Sequence, residues 1–372
     1  MPGRLVTVFL GGDVMTGRGV DQILPHPGDP WLWERHVRDA RTYVELAEAV
    51  NGPIPRPVDA TWPWGEALPL LDDIAPDARV INLETSITRC DEPDLSKAVH
   101  YRMSPANIDC LTAIRPDVCV LANNHVLDFG RPGLAETLEA LGAVKIPAVG
   151  AGHDASAAGR STMIPVAAGC RVVVFAFGTR SSGIPRDWAA TADRAGVNLL
   201  PELSDAVAET VVARVRRVRR PGDVLVASIH WGSNWGYEVP ADQVGFAHRL
   251  IDGGVDVVFG HSSHHPRPVE IHNGKLILYG CGDLVDDYEG ISGYEEYRDD
   301  LRLLYFASVD PDTGRLARLR MAPMQARRMR LHHATRADAE YLRDTLERIS
   351  HPFGARVEHA DDNMLHLLPA QP

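Results

Sequence analysis

The 372-residue sequence is poor in cysteine, has no long apolar run and carries no basic excess. Its five cysteines (Cys90, Cys110, Cys119, Cys170, Cys281) are scattered, odd in number and never spaced as CxxC. They read as reduced thiols of a cytoplasmic protein, several of them in the core, rather than as a disulfide framework. No stretch approaches the roughly 20 apolar residues of a spanning helix. The run Leu5–Leu10 meets Gly11, Gly12 and Asp13 instead of a small-residue cleavage site, so neither a membrane anchor nor a secretory signal is expected. Lysine plus arginine number 38 against 50 acidic residues, a formal charge of −12, which argues against a nucleic-acid partner. No phosphate-cradling or dinucleotide glycine loop follows the first apolar run, so no nucleotide cofactor is expected.

What is present is an ordinary globular composition, 45% hydrophobic and 24% charged, with 16 histidines as its unusual feature. Short apolar runs alternate with helical patterns, which predicts an α/β protein on mostly parallel strands. Strands are expected at Val6–Leu10, Arg79–Leu83, Val118–Leu121, Val172–Phe177, Asp223–Ile229 and Val255–Phe259. Helices are expected at Gly133–Leu141, Asp205–Arg219, Ala241–Gly253 and Ala337–Ile349. Asn273-Gly274 marks one hairpin and Pro311 to Gly314 a second. Residues 24–65, rich in proline and tryptophan, read as an insertion, either a lid or a loop plugged onto the body. Residues 1–325 are expected to form the main domain, with 326–372 a closing helix and tail of the same domain. The stretch after Asp361 reads as poorly ordered.

Polar residues with metal-binding chemistry recur at the ends of the expected strands. Asp13 follows the first, Glu84 the second, and Asn123-Asn124-His125 the third. His230 ends a later strand, and His261, His264 and His265 follow another. Singly, each has a plain structural explanation: a helix cap, a satisfied core histidine, an arginine partner. Together they converge on the carboxyl ends of strands, where open sheets place ligands. Oxygen and imidazole donors without thiolates suit Mn, Mg, Ca, Zn or Fe, as one or two divalent ions.

The motifs GGDVM, NLE, NNH, HWG and the run from Gly260 through Gly282-Asp283 resemble the CapA/PgsA family. This group is known for poly-γ-glutamate capsule biosynthesis and is related to calcineurin-like metallophosphoesterases; the resemblance runs from Gly11 to about Val309. It implies a metallophosphoesterase-like double β-sandwich flanked by helices (α/β/β/α), with a metal centre at its edge. By the same resemblance Asp13 binds one metal, Glu84 bridges, Asn124 and His230 bind the second, and His261 and His264 give one imidazole to each ion. His125 matches the histidine that acts as general acid in phosphoesterases. The sequence departs from that pattern at Met15, where the family's phosphoesterases carry a histidine, and at Glu84, which replaces an aspartate. One ion thus lacks an imidazole.

The missing anchor turns the expectation away from polymer export and towards a soluble peptide-modifying enzyme, a branch to which the resemblance extends. Its most concrete form is Cα epimerisation of a peptide residue, which needs a Lewis acid beside the carbonyl and an acid and a base on opposite faces. Asp13 and either His264 or His265 are the candidate pair, His265 being spare as a ligand. Asn123, Trp231 and Asp283 read as facing a peptide or polyglutamate-type substrate. Trp235, Tyr237, Tyr288, Tyr294 and Tyr297 add aromatic surface for gripping it or for packing loops. Phosphate-ester hydrolysis and an accessory role in poly-γ-glutamate biosynthesis are the alternatives; a homo-oligomer is compatible with either.

Overall fold

The computed structural model describes residues 4–166, 169–360 and 362–369. Its apolar runs are long enough to be buried on both faces, and they segregate by the two-residue period of a strand. In Arg171–Gly178, Val172, Val174 and Ala176 join one core, while Val173, Phe175 and Phe177 join another. The first core lies between two sheets; the second lies under Asp205–Val218 and Ala241–Asp252, through Val211, Val215, Phe246 and Leu250.

The smaller sheet has six strands, with Asp223–His230 central between Arg171–Gly178 and Val257–His261, both parallel to it. The larger has ten, with Val6–Val14 parallel to Ala78–Leu83 and antiparallel to Leu301–Val309. Helices Arg41–Asn51, Ala67–Ile74 and Gly130–Ala143 contribute Val44, Leu71 and Leu134 to the same core as the larger sheet. The layers are therefore α/β/β/α, the expected double sandwich. In the larger sheet parallel pairing runs from Val6–Val14 through Ala78–Leu83 and Val118–Val120 to the edge strand Ala148–Val149. The carboxyl-terminal part of the larger sheet, from Leu301 onward, is antiparallel hairpins, so the sheet is mixed rather than mostly parallel.

Two local expectations need correction. The 24–65 stretch carries an 11-residue helix, Arg41–Asn51, which buries Tyr43, Val44 and Ala47. Trp64 is buried and donates its indole N–H to the Cys110 carbonyl (2.6 Å), and Trp62 donates to the Arg328 carbonyl (2.9 Å), so both tie the insertion down. Trp31 stays half exposed. The tail after Asp361 is a strand, Leu365–Pro369, paired with Leu316–Ala326 and Ala355–His359. Its alternating Leu365 and Leu367 are buried, and they face Met321 and Leu319 in register. Asp361 itself and residues 370–372 lie outside the described residues. All five cysteines are free, as expected. Among the described residues no helix is long and apolar enough to cross a membrane.

The hairpin at Asn273-Gly274 forms as expected, with both residues at positive φ. A second glycine has a sterically fixed role. A Cβ on Gly12 would lie 1.9 Å from the Gly282 carbonyl oxygen, a backbone atom that cannot swing aside. That close approach lets the next residue's amide, Asp13 N–H, reach the same carbonyl (3.1 Å), aligning Asp13 with Asp283 in register. Gly12→Ala should destabilise the fold by about 3 kcal/mol or more and loosen the Asp13–Asp283 pairing. Urea unfolding checks this; a change within about 0.5 kcal/mol, as for an ordinary surface substitution, contradicts it.

Candidate metal centre

Strand register brings the polar strand ends together. His230 and His261 are the terminal residues of adjacent parallel strands and are register partners. Asp13 is the register partner of both Asn82 and Asp283. Asn82 and Glu84 are two residues apart, so their side chains share one face of the chain.

The carboxylates are held by neutral donors. The Asn82 side-chain N–H group donates to Asp13 Oδ1 (2.7 Å) and to Glu84 Oε2 (2.9 Å). Its Oδ1 accepts from Asn123 Nδ2 (3.0 Å), and Asn123 also donates to the Leu83 carbonyl (2.8 Å). Asp13 Oδ2 accepts the Ser262 N–H (3.2 Å). No arginine or lysine of the described residues forms an ion pair with Asp13, Glu84 or Asp283, although all three are at most 1% exposed. Burial and the charge of Asp283 push Asp13 up to about 7, and burial with the charges of Asp13 and Asp283 raises Glu84 well above the usual range.

The imidazoles form a chain. Ser228 Oγ lies 2.7 Å from His261 Nε2, His261 Nδ1 2.7 Å from His230 Nδ1, and His230 Nε2 2.9 Å from Asn124 Oδ1. One proton per link is satisfied with both rings neutral, Ser228 donating to His261 Nε2, His261 Nδ1–H to His230 Nδ1 and His230 Nε2–H to Asn124 Oδ1. Burial lowers both, His261 to about 3. Glu84 Oε1 is 3.7 Å from His230 Nε2, and Asp13 Oδ1 is 3.9 Å from His261 Nδ1. His264 Nδ1 meets Asp283 Oδ1 at 2.9 Å, and Asn234 Nδ2 donates to its Nε2 (3.0 Å). Burial opposes charge on His264, but Asp283 outweighs it and the ring is shifted upward.

Two ligand sets converge here: Asp13 with His230 and His261, and Asp13 with His264 and Asp283, the donor atoms of each lying within 4.8 Å of one another. Three buried carboxylates with no arginine or lysine partner among the described residues, and only imidazoles beside them, are costly unless a cation offsets their charge. The residues therefore fit a divalent ion. Asp13 and Glu84 must be deprotonated to ligate, so binding should release protons and affinity should fall as pH drops below about 7. The fall approaches about tenfold per unit for each proton displaced. Competition titrations with a metal indicator from pH 8 to pH 6 check this, and a flat profile contradicts it.

His125 stands at the edge of the cluster. Its Nδ1 is 2.7 Å from Asp128 Oδ2, itself paired with Lys97, and its Nε2 is 3.9 Å from Glu84 Oε1. Burial brings His125 down to about 4, so at neutral pH it presents an unprotonated nitrogen rather than the proton a general acid carries. Glu84, Asn124, His125, Asn234 and His264 line a cavity of about 210 Å³ together with Arg18, Tyr101 and Tyr288. The adjoining cavity of about 130 Å³ is walled by Trp235 stacked on Tyr294 (centroids 4.0 Å apart).

Other expected residues fall elsewhere. Asn123 lies behind the centre, where it holds Asn82 and the His125 amide. Trp231 is buried on the helix side, donating to the Tyr279 carbonyl (2.9 Å). Asp283 is buried beside Asp13 and His264, in a group whose atoms could hold a metal ion. His265 lines neither cavity: Tyr237 and Tyr297 pack against its ring, and its Nδ1 meets the Pro266 carbonyl (3.0 Å). Asn82, Asp128, Asn234 and Arg18 are the residues that sequence reasoning missed. Of these, Asn82 was readable from its place two residues before Glu84.

A profile of the family described as bacterial capsule synthesis protein PGA_cap matches residues 7–288. A probable polyglutamine synthesis accessory protein of Mycobacterium tuberculosis is 56% identical over 367 residues, 98% of this chain and 97% of its own. The PGA biosynthesis protein CapA of Bacillus subtilis is 28% identical over 219 residues, 59% of this chain and 54% of its own. Among solved structures, TT1561 of Thermus thermophilus is similar at 10% identity and a TM-score of 0.37, covering 84% of this chain and 97% of that one.

Proposed function

The chain belongs to the bacterial capsule synthesis protein family PGA_cap, and from that premise we propose that it is a metal-dependent accessory protein in the synthesis of a polyglutamate- or polyglutamine-type polymer. The observation that carries the metal is the set of three buried carboxylates, Asp13, Glu84 and Asp283, which have no arginine or lysine partner among the described residues. The observation that carries the polymer is the name of the 56% identical relative.

Asp13, Glu84, Asn124, His230, His261 and His264 would hold the ion or ions. A bound divalent cation supplies Lewis acidity towards a carbonyl or phosphoryl oxygen. Asn82 holds Asp13 and Glu84 in place, and Asn234 with Asp283 orients His264. The cavity of about 210 Å³ is smaller than the ~300–1,000 Å³ of drug-sized ligand sites, so it suits one residue-sized group of a longer chain. Tyr101 and Tyr288, linked at 2.7 Å through their hydroxyls, line it.

The relatives' names support this reading over Cα epimerisation, and the packing of Tyr237 and Tyr297 against His265 weighs against that histidine as an acid or base. Phosphoester cleavage is favoured by one feature, the His125–Asp128 pair beside the cluster. It is disfavoured by the low proton affinity of His125 and by Met15. Deleting the gene in its host should lower cell-associated glutamate or glutamine polymer. The wild-type gene should restore it and a Glu84→Ala copy should not. Unchanged polymer in the deletion strain would overturn the reading.

A further inference from the structure

A separate group of metal-binding side chains lies away from the Asp13 centre, on the helix-covered face of the smaller sheet. Glu270 and His272 are two residues apart on Val269–His272, so they share one face of that strand. The strand is the edge of its sheet, and helix Ala241–Asp252 brings His248 to meet it. His248 Nε2 lies 2.8 Å from Glu270 Oε1, and the His248 and His272 rings stack with centroids 3.8 Å apart and planes 6° from parallel. Donor atoms of the three residues fall within 4.8 Å of one another. The length of the sheet keeps this group apart from the Asp13 centre. His272 pairs with Lys275 beside the Asn273-Gly274 turn, level with the start of Val257–His261, whereas His261 ends that strand.

The outer contacts are those a ligand set requires, since metal-bound imidazoles and carboxylates are held in orientation by a further hydrogen bond. The Tyr279 hydroxyl donates to Glu270 Oε2 (2.6 Å), leaving Oε1 towards His248. Asp252 Oδ1 lies 3.0 Å from His272 Nε2 and accepts from Asn273 Nδ2 (2.7 Å). Asp252 stands four residues after His248, on the same face of the helix. We propose that His248, Glu270 and His272 form a separate site for a zinc-like divalent ion, which clips the helix to the sheet edge. Two imidazoles and one carboxylate are a zinc donor set that leaves the fourth position to water. The His248 and His272 side chains are 31% and 22% exposed, so an ion reaches them from solvent. This site stands whether or not the Asp13 centre binds metal.

Zinc binding to the full chain tests it. Wild type, His272→Ala, His248→Gln, Glu84→Ala and the Glu84→Ala/His272→Ala double variant are stripped with chelator and dialysed against micromolar zinc. Bound zinc per chain is read by elemental analysis. His272→Ala and His248→Gln should each bind one zinc fewer than wild type, whereas Glu84→Ala should keep that zinc and the double variant lose it. Removing an outer partner of a ligand costs about 10–100-fold, so loss of His272 itself should weaken this zinc by at least ~100-fold. Amide hydrogen exchange locates the ion. Zinc should slow exchange in Ala241–Asp252 and Val269–His272 of wild type and Glu84→Ala, and should not do so where His272 or His248 is replaced. Equal zinc in wild type and both histidine variants, or no slowing in that helix and strand, overturns the site. Zinc lost through Glu84→Ala alone reports on the Asp13 centre, so the two assignments fail separately.

Discussion

Replacing His230 with alanine is expected to strip the nitrogen-rich side of the centre and weaken its divalent-ion affinity by at least ~100-fold. Removing even an outer partner of a metal ligand typically costs 10–100-fold, and His230 is one of the three residues of the candidate ligand set with Asp13 and His261. The loss should exceed that of one donor. His230 and His261 satisfy each other at 2.7 Å, so the alanine also leaves His261 Nδ1 without its partner. His230 is fully buried, and the space left by its ring adds a packing penalty on folding. Equilibrium dialysis at fixed pH reads the affinity, with the near-ultraviolet circular dichroism spectrum as the control for fold. An affinity within about threefold of wild type would exclude His230 as a ligand.

The second large effect is structural and lies at the cavity's far wall. Arg18 is buried with its guanidinium paired to Asp287 through Nε (3.1 Å) and Nη2, and to Glu34 through Nη1 (2.9 Å). The Tyr43 and Tyr101 rings lie 3.9 and 4.5 Å from its Cζ, and Tyr43 also donates its hydroxyl to Glu34. Arg18→Met would keep much of the volume and leave two buried carboxylates unpaired. Breaking a buried pair in this way costs about 3–5 kcal/mol, since the desolvated charge that remains is uncompensated. Because Glu34 belongs to the 24–65 stretch, the same change should free that stretch locally. Trypsin should then cut faster at the exposed Arg35 and Arg38. Urea unfolding together with limited proteolysis checks both consequences. A loss below about 1 kcal/mol with unchanged cleavage would show that the arginine is not what holds the insertion to the cavity wall.

These two residues also mark how far the sequence could be read. His230 was legible because a strand terminus is a local feature: a run of valine and isoleucine ends, and the first polar residue after it stands at the sheet edge. Asp13, Glu84 and His261 share that property, and Asn124 and His264 follow in the loops just beyond their strands. Arg18 has no such signature. Its partners are 16 and 269 residues away, and only the folded insertion brings Glu34 and Asp287 to it. His265 and Trp231 show the converse failure. Each adjoins a candidate ligand in sequence, but Trp231 follows a strand end and turns to the opposite face, while His265 lies in the bend beyond Val257–His261, where Tyr237 and Tyr297 enclose it. The helix Arg41–Asn51 was hidden by composition, because proline and tryptophan on either side made the whole stretch read as irregular. The tail strand Leu365–Pro369 was hidden because its partner strands lie outside its own window, although the alternation of Leu365 and Leu367 was there to be seen.

Asp13 is where these features meet, since it belongs to both ligand sets, pairs in register with Asp283 and depends on Gly12 for its position. The central claim is that a divalent cation sits at this aspartate. The most direct test is anomalous diffraction from a crystal of the wild-type protein soaked in manganese, with data collected on both sides of the manganese edge. An anomalous peak is expected within bonding distance of an Asp13 carboxylate oxygen. No peak there under saturating manganese, with Asp13, Glu84 and Asp283 ordered as described, would contradict the claim.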